Sequence, residues 1–134
     1  MPPLSDFPEE VQLYLAKAEE ELNSAELLFN NNFYADCVSR AYYAGFHAIA
    51  AGLRFLSVDI SIHKHAYILK QFATNFVESG IFPEELFSKM ITIKQLREQS
   101  DYAIQTKMKK SQAQKILKDV RAIIDTIKEM LEQW

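Results

Sequence analysis

The stretch "CVSRAYYAGFHAIAAGL", residues 37–53, combines helical spacing with an unusual number of small residues. One stripe recurs at alternating steps of four and three, which places its members on one side of an α-helix. Its members are Val38, Tyr42, Gly45, Ile49, Gly52 and Leu56. The pattern predicts a helix over about residues 33–57.

The small residues of this segment share one face. Ala41, Gly45, Ala48 and Gly52 would let another helix approach closely. Two interpretations are open: tight core packing within the chain, or a seam between two subunits.

The flanking segments repeat the helical spacing. The first, about residues 8–30, carries Val11, Leu15, Ala18, Leu22, Ala25 and Phe29. A third helix is predicted over about 64–79 with a stop at Gly80, a fourth from Pro83 to about Tyr102, and a fifth over 112–133. The fifth carries Ile116, Val120, Ile123, Ile127, Met130 and Trp134. Two capping boxes are predicted, Asp6 with Glu9 and Ser111 with Gln114.

Short connections between long helices favour antiparallel neighbours. No segment alternates like a strand, and glycine and proline are few. The sequence therefore predicts an all-α fold, an up-and-down helical bundle of four main helices plus one shorter helix, forming a single domain over residues 1–134.

Composition limits the possible classes of protein. Cys37 is the only cysteine, which excludes an intramolecular disulfide and a cysteine-based zinc site and suits a reducing cytoplasm. The amino terminus lacks a basic region followed by an apolar run, and no stretch reaches the roughly 18 apolar residues that span a bilayer. We expect a cytoplasmic protein with no membrane partner.

Charge is distributed unevenly. Residues 1–40 hold eight acids and two bases, whereas residues 89–121 hold nine bases and three acids. A basic strip in an acidic protein can meet nucleic acid, the acidic half of a partner subunit, or only solvent.

An arginine interrupts the apolar seam of the fourth helix. Leu86, Met90 and Ile93 set a spacing whose next position is Arg97, and Asp101 follows four residues later. A guanidinium removed from water needs a partner or a wet cleft. The pair is therefore a structural salt bridge, a register pin at a dimer interface, or part of a polar site that also includes Tyr102.

Histidines and tyrosines provide further candidates. Tyr43 and His47 share a face of the second helix beside Arg40, although a buried, hydrogen-bonded tyrosine is the commoner arrangement. His63 and His65 lie two residues apart before the third helix, but no acidic or histidine pair at helical spacing accompanies them. We predict no metal site.

Three blocks, "SRAYYAGFHAIAAGL", "HKHAYILKQFATNFVESG" and "LREQSDYAI", resemble the HEPN domain family in order and spacing. The similarity covers nearly the whole chain and follows a small prokaryotic branch with an Arg-x-x-x-Asp-Tyr motif. It implies a homodimer in which two such motifs face one cleft. Many members are metal-independent ribonucleases, toxins encoded beside a minimal nucleotidyltransferase that acts as antitoxin, in several cases by attaching nucleotide to a tyrosine.

By position in the motif, Arg97 matches the family's catalytic arginine. The sequence departs from the commonest ribonuclease signature, because Tyr102, Ala103 and Ile104 stand where that signature has a histidine. We expect catalytic roles on RNA, transfer RNA included: Arg97 holds phosphate, Asp101 orients the guanidinium or acts as a base, and Tyr102 donates a hydrogen bond. The resemblance makes Tyr102 the expected modification site. We expect Lys107, Lys109, Lys110 and Arg40 to bind the RNA backbone by charge. The alternative is a module that binds nucleotide or a partner without catalysis.

Overall fold

A computed structural model describes residues 6–61, 64–102 and 107–134, and these residues form helices without strands. The helices are α1 (Glu9–Asn30), α2 (Tyr34–Phe55), α3 (His65–Phe72), α4 (Glu84–Tyr102) and α5 (Lys110–Glu132). The predicted all-α fold, with four main helices and one shorter helix, is confirmed.

The helix α2 is the centre of the molecule and contacts α1, α3, α4 and α5. Arg97 lies against Tyr42, whereas Met90 lies against Gly45, so α4 runs antiparallel to α2. A Cβ added to Gly45 would come within 2.9 Å of the Met90 sulfur. The small face of α2 is buried within the chain, so core packing is the correct interpretation and a dimer seam on this face is wrong.

The other two long helices complete the up-and-down arrangement. Glu10 pairs with Arg54, and Glu21 with Arg40, so α1 runs antiparallel to α2. The predicted stripes of α1 and α5 are buried except at their carboxyl ends, where Phe29 is partly exposed and Trp134 is 54% exposed. Burial of these stripes holds the bundle together.

The third predicted helix is present but contains a wider turn. A π-helical turn, Ala73–Val77, follows α3 and is closed by a bond from the Glu78 amide to the Ala73 carbonyl at 2.8 Å. The wider turn lets Phe72 and Phe76 pack together at 5.0 Å between ring centres. Gly80 has a φ of 80°, consistent with the predicted stop at this position.

Both predicted capping boxes are wrong. The helix α1 begins after Pro8, whose side chain makes no capping bond, and Asp6 lies in a separate short turn. Before α5, the Gln112 side chain accepts a hydrogen bond from the Lys109 amide at 3.0 Å, so the helix starts two residues earlier than predicted. Lys110 therefore lies within α5 and not in the segment that joins α4 to α5.

Candidate active site at the end of α4

Two tyrosine rings of α2 form an aromatic floor beneath Arg97. The Arg97 guanidinium carbon lies 4.8 Å from the centre of the Tyr42 ring and 5.5 Å from that of Tyr43. These distances allow cation–π attraction, which strengthens as the cation loses water. Burial raises the pKa of the Tyr42 hydroxyl far above its ordinary value, so this side of the floor stays neutral.

The same guanidinium is hydrogen-bonded at one edge, and one of its other donors lacks a partner in the part of the chain that the structure describes. Arg97 Nη1 donates to Asp101 Oδ2 at 2.9 Å, and the Arg97 side chain is 16% exposed. Arg97 Nε is buried and has no hydrogen-bond partner among the described residues. Because an unsatisfied buried donor is costly, the Arg97 guanidinium is incompletely compensated within the described ranges.

Tyr102 and the predicted RNA-binding lysines occupy different surroundings. The Tyr102 side chain is 88% exposed and is the next residue after Asp101. Lys107, Lys109 and Lys110 are all exposed. Residues 103–106, which separate them from α4 and include Ala103 and Ile104, lie outside the described residues. Lys107 lines a shallow cleft with residues 32–36, at the end of the bundle where α2 begins and α4 finishes.

His65 belongs to this site. From the sequence it was considered only as a possible metal ligand together with His63, and no metal site was predicted. His65 Nδ1 lies 3.0 Å from Tyr42 Oη, and its ring stacks on Phe46 with centres 4.0 Å apart. Burial, followed by the charge of Arg97, lowers the pKa of His65. Helical spacing could not reveal this residue, because it reaches Tyr42 from another helix. His63 lies outside the described residues.

Arg40 and His47 form a second cluster around a buried carboxylate. Glu21 is 7% exposed; it pairs with Arg40 at 3.4 Å and with His47 Nδ1. Arg40 also lies 5.9 Å from the centre of the Tyr43 ring, so the two clusters share that ring. An open cleft of about 800 Å³ between α1 and α2 borders this second cluster.

The described parts of the chain hold neither a cluster of metal ligands nor a membrane-spanning helix. Within residues 6–61, 64–102 and 107–134, histidine, cysteine and acidic side chains form no group of three suited to a metal ion. In those ranges no helix combines the length and apolar character needed to cross a bilayer. Burial raises the pKa of the Cys37 thiol to about 11, which disfavours its reactive thiolate form.

Comparisons with known proteins show which family this chain belongs to. The family model described as "HEPN domain" matches residues 11–130. A Methanocaldococcus jannaschii protein named "Putative toxin" is 37% identical over 96% of this chain and 93% of its own length. A second protein of that name from the same organism is 31% identical over 93% of this chain and 84% of its own. A "UPF0332 protein" from Pyrococcus horikoshii is 42% identical over 65% of this chain and 59% of its own.

Proposed function

The chain belongs to the HEPN domain family, and from this premise we propose that it is a toxin-like, metal-independent ribonuclease. It acts on RNA in the cytoplasm as a homodimer of single-domain subunits, with transfer RNA as a candidate substrate. A cognate minimal nucleotidyltransferase neutralises it by modifying Tyr102. The toxin names of the two Methanocaldococcus jannaschii relatives support this assignment.

The observation that carries the proposal is the state of the Arg97 guanidinium. Asp101 fixes one of its edges at 2.9 Å, while the buried Nε lacks a partner among the described residues. A phosphate offers several acceptor oxygens, and the planar fork of arginine can bind two of them. The guanidinium is planar by itself, and the two tyrosine rings beneath it hold its position and restrict its hydration, which suits binding of an anion.

The reaction that suits this site is attack of the RNA 2′-hydroxyl on the adjacent phosphorus. The O2′–P bond forms, the P–O5′ bond breaks, and the products are a cyclic phosphate and a 5′-hydroxyl. Arg97 stabilises the extra negative charge on the phosphoryl oxygens as the crowded intermediate forms. Asp101 orients the guanidinium, and Tyr102 donates a hydrogen bond to the substrate.

Basic residues beyond Arg97 extend the site. Arg40 also lies near the Tyr43 ring, 5.9 Å from its centre, and its side chain is 46% exposed despite the pairing with Glu21. Lys107, Lys109 and Lys110 add exposed positive charge after α4. Binding by such charges releases counterions, so we expect RNA affinity to fall steeply as salt rises.

Dimerisation through α4 would bring two Arg97 sites into one cleft. In support, only Met90 and Ile93 are fully buried in this helix, whereas Phe87 and Ile91, four residues apart on one face, remain partly exposed. Such apolar side chains gain further burial when a second copy of the helix covers them.

The decisive test is Arg97→Ala, with Arg121→Ala as the matched control. Arg121 also pairs with a carboxylate four residues later, Asp125, but lies on α5 and also contacts Glu19. We expect Arg97→Ala to lower RNA cleavage by about 10²–10³-fold, the usual effect of removing one donor to developing negative charge. Arg121→Ala should cleave at the parental rate. Cleavage of labelled transfer RNA by Arg97→Ala at that rate would refute the proposal.

Modification of Tyr102 has its own test. Incubation with the cognate nucleotidyltransferase and a nucleoside triphosphate should raise the protein mass by one or more nucleotides and abolish cleavage. Tyr102→Phe should remain unmodified, whereas Tyr67→Phe, which alters a 38% exposed tyrosine of α3, should be modified like the parent. Modification of Tyr102→Phe to the parental extent would place the acceptor elsewhere.

One observation favours a second candidate, a module that binds nucleotide or its partner without catalysis. Asp101 is engaged by Arg97, and no histidine lies on α4 near that pair. This alternative predicts that purified protein shifts RNA or nucleotide in a gel yet releases no products during long incubation.

A further inference from the structure

His65 enters the Arg97 site from the start of α3. Its Nδ1 atom is 3.0 Å from Tyr42 Oη, and the ring of the same tyrosine lies beneath the Arg97 guanidinium. Two aromatic rings contact the imidazole. Phe46 stacks on it with ring centres 4.0 Å apart, and the Tyr43 ring lies edge-on with its centre 5.8 Å away. Such contacts fix the ring in one orientation, as proton transfer at a defined atom requires.

The motif residues on α4 are poorly suited to transfer protons in this reaction. The Asp101 carboxylate already accepts a hydrogen bond from Arg97 at 2.9 Å, so one of its oxygens is occupied in holding the guanidinium. Imidazole is the side chain whose unperturbed pKa lies nearest neutrality, so it suits transfer of a proton in either direction.

We propose that His65 is the general base of this site, replacing the histidine that the α4 motif lacks; this inference rests on the ribonuclease function proposed above. In the required tautomer, His65 Nδ1–H donates to Tyr42 Oη and leaves the Nε2 lone pair free. Tyr42 thereby acts as a positioning residue for both His65 and Arg97.

The step balances with water as the second proton carrier. His65 Nε2 removes the proton of the 2′-hydroxyl as O2′ bonds to phosphorus, and the departing O5′ takes a proton from a solvent water. The imidazolium then returns its proton to the hydroxide left by that water. No oxidant, reductant or metal takes part, and the enzyme is restored.

Charged groups around His65 determine its protonation. Arg97 and Lys94 of α4 disfavour the imidazolium, as does His47 of α2, whereas Glu98 favours it. Tyr42 and Tyr43 contribute neutral rings. With burial as the largest influence, the pKa of His65 lies below its ordinary value, so the base is neutral at physiological pH.

The experiment compares His65→Asn with His47→Gln across a pH series. Asparagine keeps a hydrogen-bonding group near Tyr42 and removes the titrating ring. We expect His65→Asn to lower single-turnover RNA cleavage by about 10²–10⁴-fold, with unchanged RNA affinity and circular dichroism. It should also lose the fall in rate that the parent shows at acid pH. His47→Gln, measured per folded molecule, should retain that acid limb.

Chemical rescue separates catalysis from structure. Added imidazole should restore part of the rate to His65→Ala and none to Arg97→Ala. If His65→Asn keeps the parental rate and acid limb while Arg97→Ala is inactive, the inference is wrong and the ribonuclease function stands. If folded His65→Ala is inactive and imidazole does not restore it, His65 is structural. If the parent itself releases no products, the proposed function fails and His65 has no catalytic role.

Discussion

Two charged clusters share the ring of Tyr43, and they differ in how completely their charges are compensated. The Glu21 carboxylate contacts both Arg40 and His47, so each of its oxygens has a hydrogen-bond partner. Arg97 has Asp101 at one edge and a buried Nε without a partner among the described residues. Both clusters thus contain partly buried charge, but only the Arg97 cluster keeps unused hydrogen-bonding capacity among the described residues.

The largest expected difference between the two clusters is in how much each one contributes to the free energy of unfolding. Glu21→Gln removes the carboxylate that two partners share in a 7% exposed position, and we expect the free energy of unfolding to fall by about 1.5–3 kcal/mol. Asp101→Asn, on a side chain that is 42% exposed, should change it by less than about 1 kcal/mol. Urea denaturation measures both values. Equal losses would remove the distinction between the clusters.

A smaller change in stability is expected when Arg97 and Asp101 are both replaced by apolar residues. The double variant Arg97→Leu with Asp101→Leu should change the free energy of unfolding by about 1 kcal/mol or less, in either direction, because paired charges are exchanged for hydrophobic side chains. RNA cleavage should nevertheless disappear. Sedimentation of the double variant tests the alternative role as a register pin. Loss of the dimer only in this variant would favour that structural account.

The pH dependence of stability should show a modest contribution from His65. Its folded-state pKa is lowered by burial and by Arg97, so below about pH 6.5 the unfolded chain binds more protons than the folded one. Stability from this group is therefore present at neutral pH and is lost as the pH falls toward the folded-state pKa. Urea denaturation from pH 7.5 to 5 should show a shallower loss for His65→Asn than for the parent. Identical slopes would contradict this assignment.

The smallest expected effect belongs to Tyr102. Because its side chain is 88% exposed, Tyr102→Phe should alter the free energy of unfolding by no more than about 0.5 kcal/mol. Tyr42→Phe removes the hydroxyl that contacts His65 within the protein and should cost about 1 kcal/mol. Thermal melting of the two variants side by side checks the contrast. A similar loss for Tyr102→Phe would mean that its hydroxyl has a structural partner.

Helical spacing was sufficient to predict the bundle and to single out Arg97. The stripes of α1, α2 and α5 follow one period along each helix, so they can be read from the chain. The π-helical turn could not be predicted in this way, because the one residue that it adds barely changes the apolar spacing around Phe72 and Phe76.

The surroundings of the candidate site were less predictable. His65 meets Tyr42 only through packing of α3 on α2, and no local pattern encodes that contact. Arg40 was predicted to bind RNA, but its pairing with Glu21 on α1 depends on helix packing that the sequence does not display. The binding role of Arg40 remains a prediction.

The limited burial of α4 has an evolutionary consequence. Its two fully buried residues, Met90 and Ile93, lie before the last turns that carry Arg97 and Asp101. Substitutions in those last turns therefore leave the contacts of Met90 and Ile93 intact. Variation can alter the chemistry of the motif while the scaffold persists, so related bundles can diverge in activity without first acquiring a new architecture.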